Sequence, residues 1–423
     1  ATSVLWLRRL TLSAAPHVSL RDLATLDNQL DGNIEGLLLA GSVGWELCHS
    51  ELYWEDEGDF FRAAVVAIAH GERDRFDAVQ RAVRDRVELR EAVSSACAWL
   101  TWDVAAETVH GCLSSRDPFW RYAGMRAYEL RQRDPNEELE SWLDDDQPEY
   151  RSLAARLVGT LPRCELMSKL VRLSDDESLE VRSSALEARA LRCPEPEIVL
   201  ALLSIFESCD PAYQGRALRL LVSILPAQRA DDLLNALAGS GDERQLRLAV
   251  QMTGLLGIPD RIPWLIELLR HPPQARVAAE AISQITGLRL DQEPFETAPP
   301  ADFEVGPNED PEDENVTPDA DENLPWVEPA AVSHWWWSNS QYYADGVRHL
   351  LGYPLDDMAL LEKVVALGRQ RERRVAAWEL VRRRPTAMRL DVGRHSREQL
   401  QLLGMACSPT EEKRCAALSA GPS

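Results

Sequence analysis

Lysine is nearly absent from this chain: of 46 basic residues, only Lys169, Lys363 and Lys413 are lysine. None closes a glycine-rich turn, so nucleotide binding through a phosphate-cradling loop is not expected. Long apolar runs are missing too. The stretch Ala63 to Ala69 is bounded by Arg62 and His70, well short of the ~18 residues that cross a bilayer. The first residues also lack the basic and apolar regions of a secretory leader, so a cytoplasmic protein that does not engage membranes is expected. The eight cysteines (Cys48, Cys97, Cys112, Cys164, Cys193, Cys209, Cys407 and Cys415) never fall at the two-residue spacing of zinc or redox sites. They read as reduced, mostly buried thiols. The eight histidines are scattered singly with no His-Glu-x-x-His pattern, which leaves no metal or other cofactor to expect. Gly41-Ser42-Val43-Gly44 fails the Gly-x-Ser-x-Gly pattern of a nucleophile elbow. The expectation is a protein without catalytic residues.

Positive charge is scarce where negative charge is abundant. The formal net charge is -23, which argues against direct binding of nucleic acid, since phosphate contacts need a basic footprint. A basic partner is the natural complement. The imbalance is uneven: Asp291 to Val347 holds fifteen acidic residues and no Lys or Arg, whereas Arg348 to the end carries +5 and residues 1–290 carry -13.

What the chain does contain is a repeat. An Arg followed three positions later by a small or apolar residue recurs as Arg62/Val65, Arg90/Val93, Arg121/Gly124, Arg151/Ala154, Arg182/Ala185, Arg247/Val250 and Arg276/Ala279, with Gln214/Ala217 filling the one gap. Successive anchors lie 28, 31, 30, 31, 32, 33 and 29 residues apart, a period that suits two helices of roughly 12 residues joined by short turns. Apolar positions within each unit follow helical spacing, as in Leu179, Val181, Ala185, Leu186 and Ala190. Asp117-Pro118, Asp134-Pro135, Asp210-Pro211, Gly241-Asp242 and Pro272-Pro273 punctuate the pattern where caps and turns belong. The small residue lets paired helices approach closely, and the Arg can reach carboxylates or carbonyls of a neighbouring turn.

The reading is therefore an all-α, HEAT-like α-solenoid of helical hairpins with a C-terminal helical extension. Its expected parts are an N-terminal helical cap (1–50), a repeat array (51–290), an acidic Pro-rich linker (291–331) and a C-terminal helical region (332–423). Low apolar content predicts no packed core in the linker, which is expected to fold back onto the +5 segment. Candidate partner-binding residues are the acidic groups Glu55, Asp56 and Glu57, Asp144, Asp145 and Asp146, Asp175 and Asp176, and Asp242 and Glu243, together with the aromatic run Trp335, Trp336 and Trp337. Turn acids also serve as helix caps, and consecutive Trp residues cannot all face one side of a helix. The Trp run either clamps the C-terminal helices onto the repeats or forms an exposed hot spot.

Three strings carry a resemblance: LATLDNQLDGNIEGLLLAGSVG from Leu23 to Gly44, GVRHLLGYPL from Gly346 to Leu355, and LGRQRERRVAAWEL from Leu367 to Leu380. With the Trp run, they resemble a proteobacterial HEAT-repeat family whose genes accompany type VI secretion spike and effector genes. Arg397, Glu398 and Gln399 depart from that family, in which Arg and Gln adjoin. The strings are packing motifs and mark no active site. The resemblance implies a role beside an exported toxin, either as an immunity protein against a basic nuclease effector or as an adaptor that holds the effector for loading.

Overall fold

The structure is a computed structural model that describes residues 1–52, 56–83, 86–208, 210–301, 303, 306 and 319–405. It is all-α, as the periodicity predicts, and the chain divides into two compact units, Ala1–Arg192 with Arg384–Ser423, and Cys193–Arg383. The linker expected at 291–331 belongs wholly to the second unit, while the C-terminal region expected at 332–423 is shared between the two.

The first unit begins with α1 (Thr2–Leu12), α2 (Leu20–Leu39) and α3 (Gly41–Ser50), followed by α4 (Glu57–His70) and α5 (Arg73–Ala82). It continues with α6 (Arg90–Trp99), α7 (Trp102–Leu113), α8 (Pro118–Leu130), α9 (Glu138–Trp142), α10 (Pro148–Thr160), α11 (Met167–Leu173) and α12 (Leu179–Arg192). Helices α4, α6, α8, α10 and α12 pack each on the next, and α5, α7 and α11 each pack on a neighbouring member of that row. Caps fix many of the starts. Ser19 and Asp22 form a capping box on α2, and the Asp56 and Asp117 side chains accept from the first turns of α4 and α8.

Every anchor position is filled as the repeat predicts. Val65, Val93, Gly124, Ala154 and Ala185 are all buried, and a Cβ on the nearby Gly159 would stand only 2.9 Å from Ala188 Cβ, so α10 and α12 meet as closely as a glycine allows. The Arg side chains link successive turns. Arg121 donates to Asp145 at 2.5 Å, and Arg151 holds both oxygens of Asp176 at 2.8 and 2.9 Å while donating to the Asp145 and Asp146 carbonyls. Arg182 repeats the carbonyl contacts on Asp176 and Glu177.

The second unit holds α13 (Pro196–Glu207), α14 (Pro211–Ile224), α15 (Ala227–Ala238), α16 (Glu243–Leu256), α17 (Ile262–Leu268) and α18 (Pro272–Thr286), then α19 (Pro329–Asn339), α20 (Met358–Leu367) and α21 (Gln370–Arg383). A two-residue antiparallel pair, β1 (His349–Leu350) with β2 (Tyr353–Pro354), sits between α19 and α20. Here the anchors find a different partner. Arg276 grips Asp319 at 2.7 and 3.0 Å and Arg247 grips Asp321 at 2.5 and 2.8 Å, so carboxylates of the acidic segment take the place of turn carboxylates. The same segment pairs Glu296 with Val327 as an isolated bridge and sets Phe303 edge-on to Trp326, over which the Arg276 guanidinium lies. The segment is thus packed at both ends; residues 307–318 lie outside the described residues. Towards the basic segment, Asp291 pairs with Arg369 at 3.0 Å.

After α21 the chain returns to the first unit as a strap, residues 384–395, which leads into α22 (Ser396–Leu402). Buried polar groups seat it. Arg192, at the end of α12, donates to the carbonyls of Pro385 and Ala387, and Thr160 accepts from the Arg389 amide at 3.0 Å. The Gln132 side chain bonds the Arg389 carbonyl and the Asp391 amide, its backbone at φ +48 to present it. Arg9 donates to the carbonyls of Gly393 and Arg394.

Candidate partner-binding surfaces

In the first unit the acidic turns have two kinds of carboxylate. Asp145 and Asp176 are committed to Arg121 and Arg151, and Asp144 accepts from Lys169 at 2.5 Å and from Arg172. Hydrogen bonds from Lys169 hold the exposed Asp144 below its ordinary range. Asp146 and Asp175 are exposed, and among the described residues no ion pair or hydrogen bond engages either carboxylate. Because Arg151 touches both turns, the ladder holds these two free carboxylates on adjacent hairpins. Asp56 caps α4 at 2.7 Å, Glu57 beside it is exposed, and Glu55 lies outside the described residues.

In the second unit Asp242 caps α16 through the Arg244 amide at 2.8 Å. Glu243 accepts from Gln274 at 2.7 Å and lies 3.0 Å from His271, contacts that lower its pKa. The Trp run divides by helix phase. Trp336 is buried in the core against Tyr343, Trp335 is half-buried beside it, and Trp337 is 65% exposed. Packing into the core is therefore the work of Trp336, while Trp337 faces solvent.

The most elaborate polar site was not singled out by residue type. Asp27 and Asp31 lie on the buried stripe of α2 among Leu23, Leu26, Leu30 and Ile34. Asp27 accepts from Arg9 Nε at 2.7 Å and from the Ser396 amide at 2.8 Å, while Asp31 accepts from Trp99 Nε1 at 2.8 Å. The His395 ring lies between them, 3.3 Å from Asp31, with its centroid 4.4 Å from that of Trp99. Burial opposes ionisation of both carboxylates, but the Arg9 charge at Asp27 and the His395 contact at Asp31 outweigh it, and both are held below the ordinary range. Two Asp residues four apart within an apolar stripe were the available signal. A second network holds Glu129 between Arg126 and Arg156; burial pushes its carboxyl up, yet the two guanidiniums bring it to about 2.

These networks are saturated, which suits structural work: their groups already have partners. Burial pushes the Cys48 thiol to about 11 and Cys97 to about 12, so neither presents a reactive thiolate. Among the described residues no group of three or more His, Cys, Asp or Glu is placed to hold a metal ion, and no helix is long and apolar enough to cross a membrane.

No family model matches the chain, and no curated protein matches it. Among solved structures, an engineered protein is similar at 20% identity and a TM-score of 0.30, over 62% of this chain and 83% of that one, a likeness too slight to bear on fold or function.

Proposed function

We propose that this chain is an immunity protein that binds and neutralises a basic toxin domain, of the nuclease type implied by its resemblance to the family found beside type VI secretion effectors. The observation that carries the reading is how the charges are used. The anchor arginines Arg121, Arg151, Arg247 and Arg276 are all committed to carboxylates of the same chain. With 69 acidic against 46 basic residues, the chain carries an anionic surplus, which a basic partner would complement.

An anionic surface of this kind accelerates encounter with a cationic domain by roughly 10- to 1,000-fold at low salt. It would also occupy the surface on which a nuclease holds phosphates. The protein acts by occlusion, so no catalytic residue or cofactor is needed. Co-expression with the cognate effector domain and titration of its nuclease activity test the reading. Loss of toxicity and full inhibition at a 1:1 ratio are expected. A toxin that stays fully active at stoichiometric excess overturns immunity, and stable binding of that active toxin would favour the adaptor role instead.

A further inference from the structure

We infer that the cavity between α15, the turn before α17 and Gly346 is a seat for one arginine side chain of the partner. The inference rests on the proposed basic partner and names the group by which the second unit would hold it. The cavity has a volume of about 520 Å³, within the range of small-ligand sites. One wall is a face of α15 that carries Gln228, Asp231 and Asn235 at helical spacing. Ala230, Leu234 and Leu237 of the same helix turn into the core, so α15 is anchored without that face. The other wall is Asp260, Arg261 and Trp264, the last packed against two apolar clusters of the unit.

The polar atoms of the lining show what is missing. Arg261 gives Nε to the Asp231 carboxylate at 2.6 Å, and Nη2 to the Asp231 carbonyl and the Asn235 side-chain oxygen, each at 3.0 Å. The charges of Arg261 and Asp231 therefore offset each other, and Asn235 donates to the second Asp231 oxygen at 3.2 Å. Gln228 spends its amide nitrogen on Asp232 at 3.1 Å, which leaves its carbonyl oxygen an open acceptor. Asp260 is exposed and enters no ion pair among the described residues. Its contact is the Gly346 amide at a long 3.4 Å, presented by a left-handed backbone with φ +70 that suits glycine. The unmatched charge of the lining is thus negative, and Asp260 and Gln228 supply open acceptors.

A guanidinium answers each feature. It is flat enough to lie on an indole, carries paired N–H groups for a carboxylate, and has no acceptor of its own. The cavity wall already shows the arrangement: Arg261 lies 5.9 Å from the Trp264 ring centroid while it grips Asp231. A carboxylate or phosphate would meet Asp260 as a like charge, and an apolar group would leave it unpaired. Arginine is also a residue that protein interfaces enrich.

N-acetyl-arginine amide is the probe, with the lysine and the neutral citrulline amides beside it. The indole N–H signal of Trp264, assigned with Trp264→Phe, reports binding by NMR. The proteins compared are wild type, Asp260→Asn, and Asp356→Asn, which removes the same charge at another exposed position of the second unit. Saturable binding of the arginine amide with a Kd on the order of 1 mM is expected for so small a ligand. It should weaken at least fivefold in Asp260→Asn, stay unchanged in Asp356→Asn, and be absent for citrulline. No response to arginine, an equal response to citrulline, tighter binding of lysine, or an unchanged Kd in Asp260→Asn overturns the site. The cognate toxin separates the two claims. If wild type neutralises it and Asp260→Asn binds it as tightly as wild type does, the cavity is wrong and immunity stands; if wild type fails to neutralise, it is the immunity reading that falls.

Discussion

Replacing Asp27 with alanine should cost the first unit about 3–5 kcal/mol, the usual effect of removing one member of a buried ion pair. Asp27 is fully buried and Arg9 is 6% exposed. In the variant, Arg9 keeps the carbonyls of Gly393 and Arg394 but loses its counter-charge, and the Ser396 amide loses its acceptor. The cost is therefore more than one hydrogen bond. Urea denaturation supplies the stability, and hydrogen exchange at the Ser396 amide reports whether the strap has come loose. Arg9→Met and the double variant complete a cycle whose coupling should reach about 2 kcal/mol, in the range for contacting partners. The pH dependence gives an independent check. Arg9 and His395 hold Asp27 below its ordinary 3.8 against the upward push of burial. Its contribution is thus present above pH 3.8 and lost as pH falls through the folded-state value. The gap between wild type and variant should be constant from about pH 5 to 8 and close below about pH 4. A loss under about 1 kcal/mol, or unchanged protection at Ser396, would refute the view that this carboxylate fastens the strap.

Two further outcomes follow from the second unit. Burial pushes Glu372 up to about 7 from an ordinary 4.5. The folded state then binds more protons at this group than the unfolded state between those values, so the contribution of Glu372 to stability is greatest below pH 4.5 and declines by about 3 kcal/mol as pH rises through 7; Glu372→Gln should remove that decline, and an identical pH profile in the variant would contradict it. Trp336→Ala should cost about 3–5 kcal/mol by opening the core, whereas the exposed Trp337→Ala should change stability by less than about 0.5 kcal/mol, a contrast that thermal unfolding would reveal.

Much of the fold follows from rules that act over one or two helical turns. Caps at Asp56, Asp117 and Asp242 and the spacing of apolar residues place the helices, because each depends on neighbours within about four positions. The ladder was legible for the same reason in part of the first unit: Arg121, Arg151 and Arg182 stand at a fixed place in successive hairpins and meet what the nearby turns supply. The candidate surface was legible only in part. Composition identifies which turns are acidic, but whether a carboxylate is free depends on which Arg reaches it, and Asp145 and Asp146, adjacent in sequence, end in opposite situations.

The sequence by itself determined that this protein is helical, repetitive and anionic. Only the tertiary structure decided that Asp319 and Asp321 stand in for turn carboxylates at Arg276 and Arg247, that Trp336 is inside while Trp337 is outside, and that the strap returns to Asp27 and Arg9. The physical reason is range. Periodicity and capping are set by bonds and contacts close along the chain, whereas Ser396 and Asp27 lie 369 positions apart, and nothing in local spacing encodes that two such distant polar groups must satisfy each other once water is excluded.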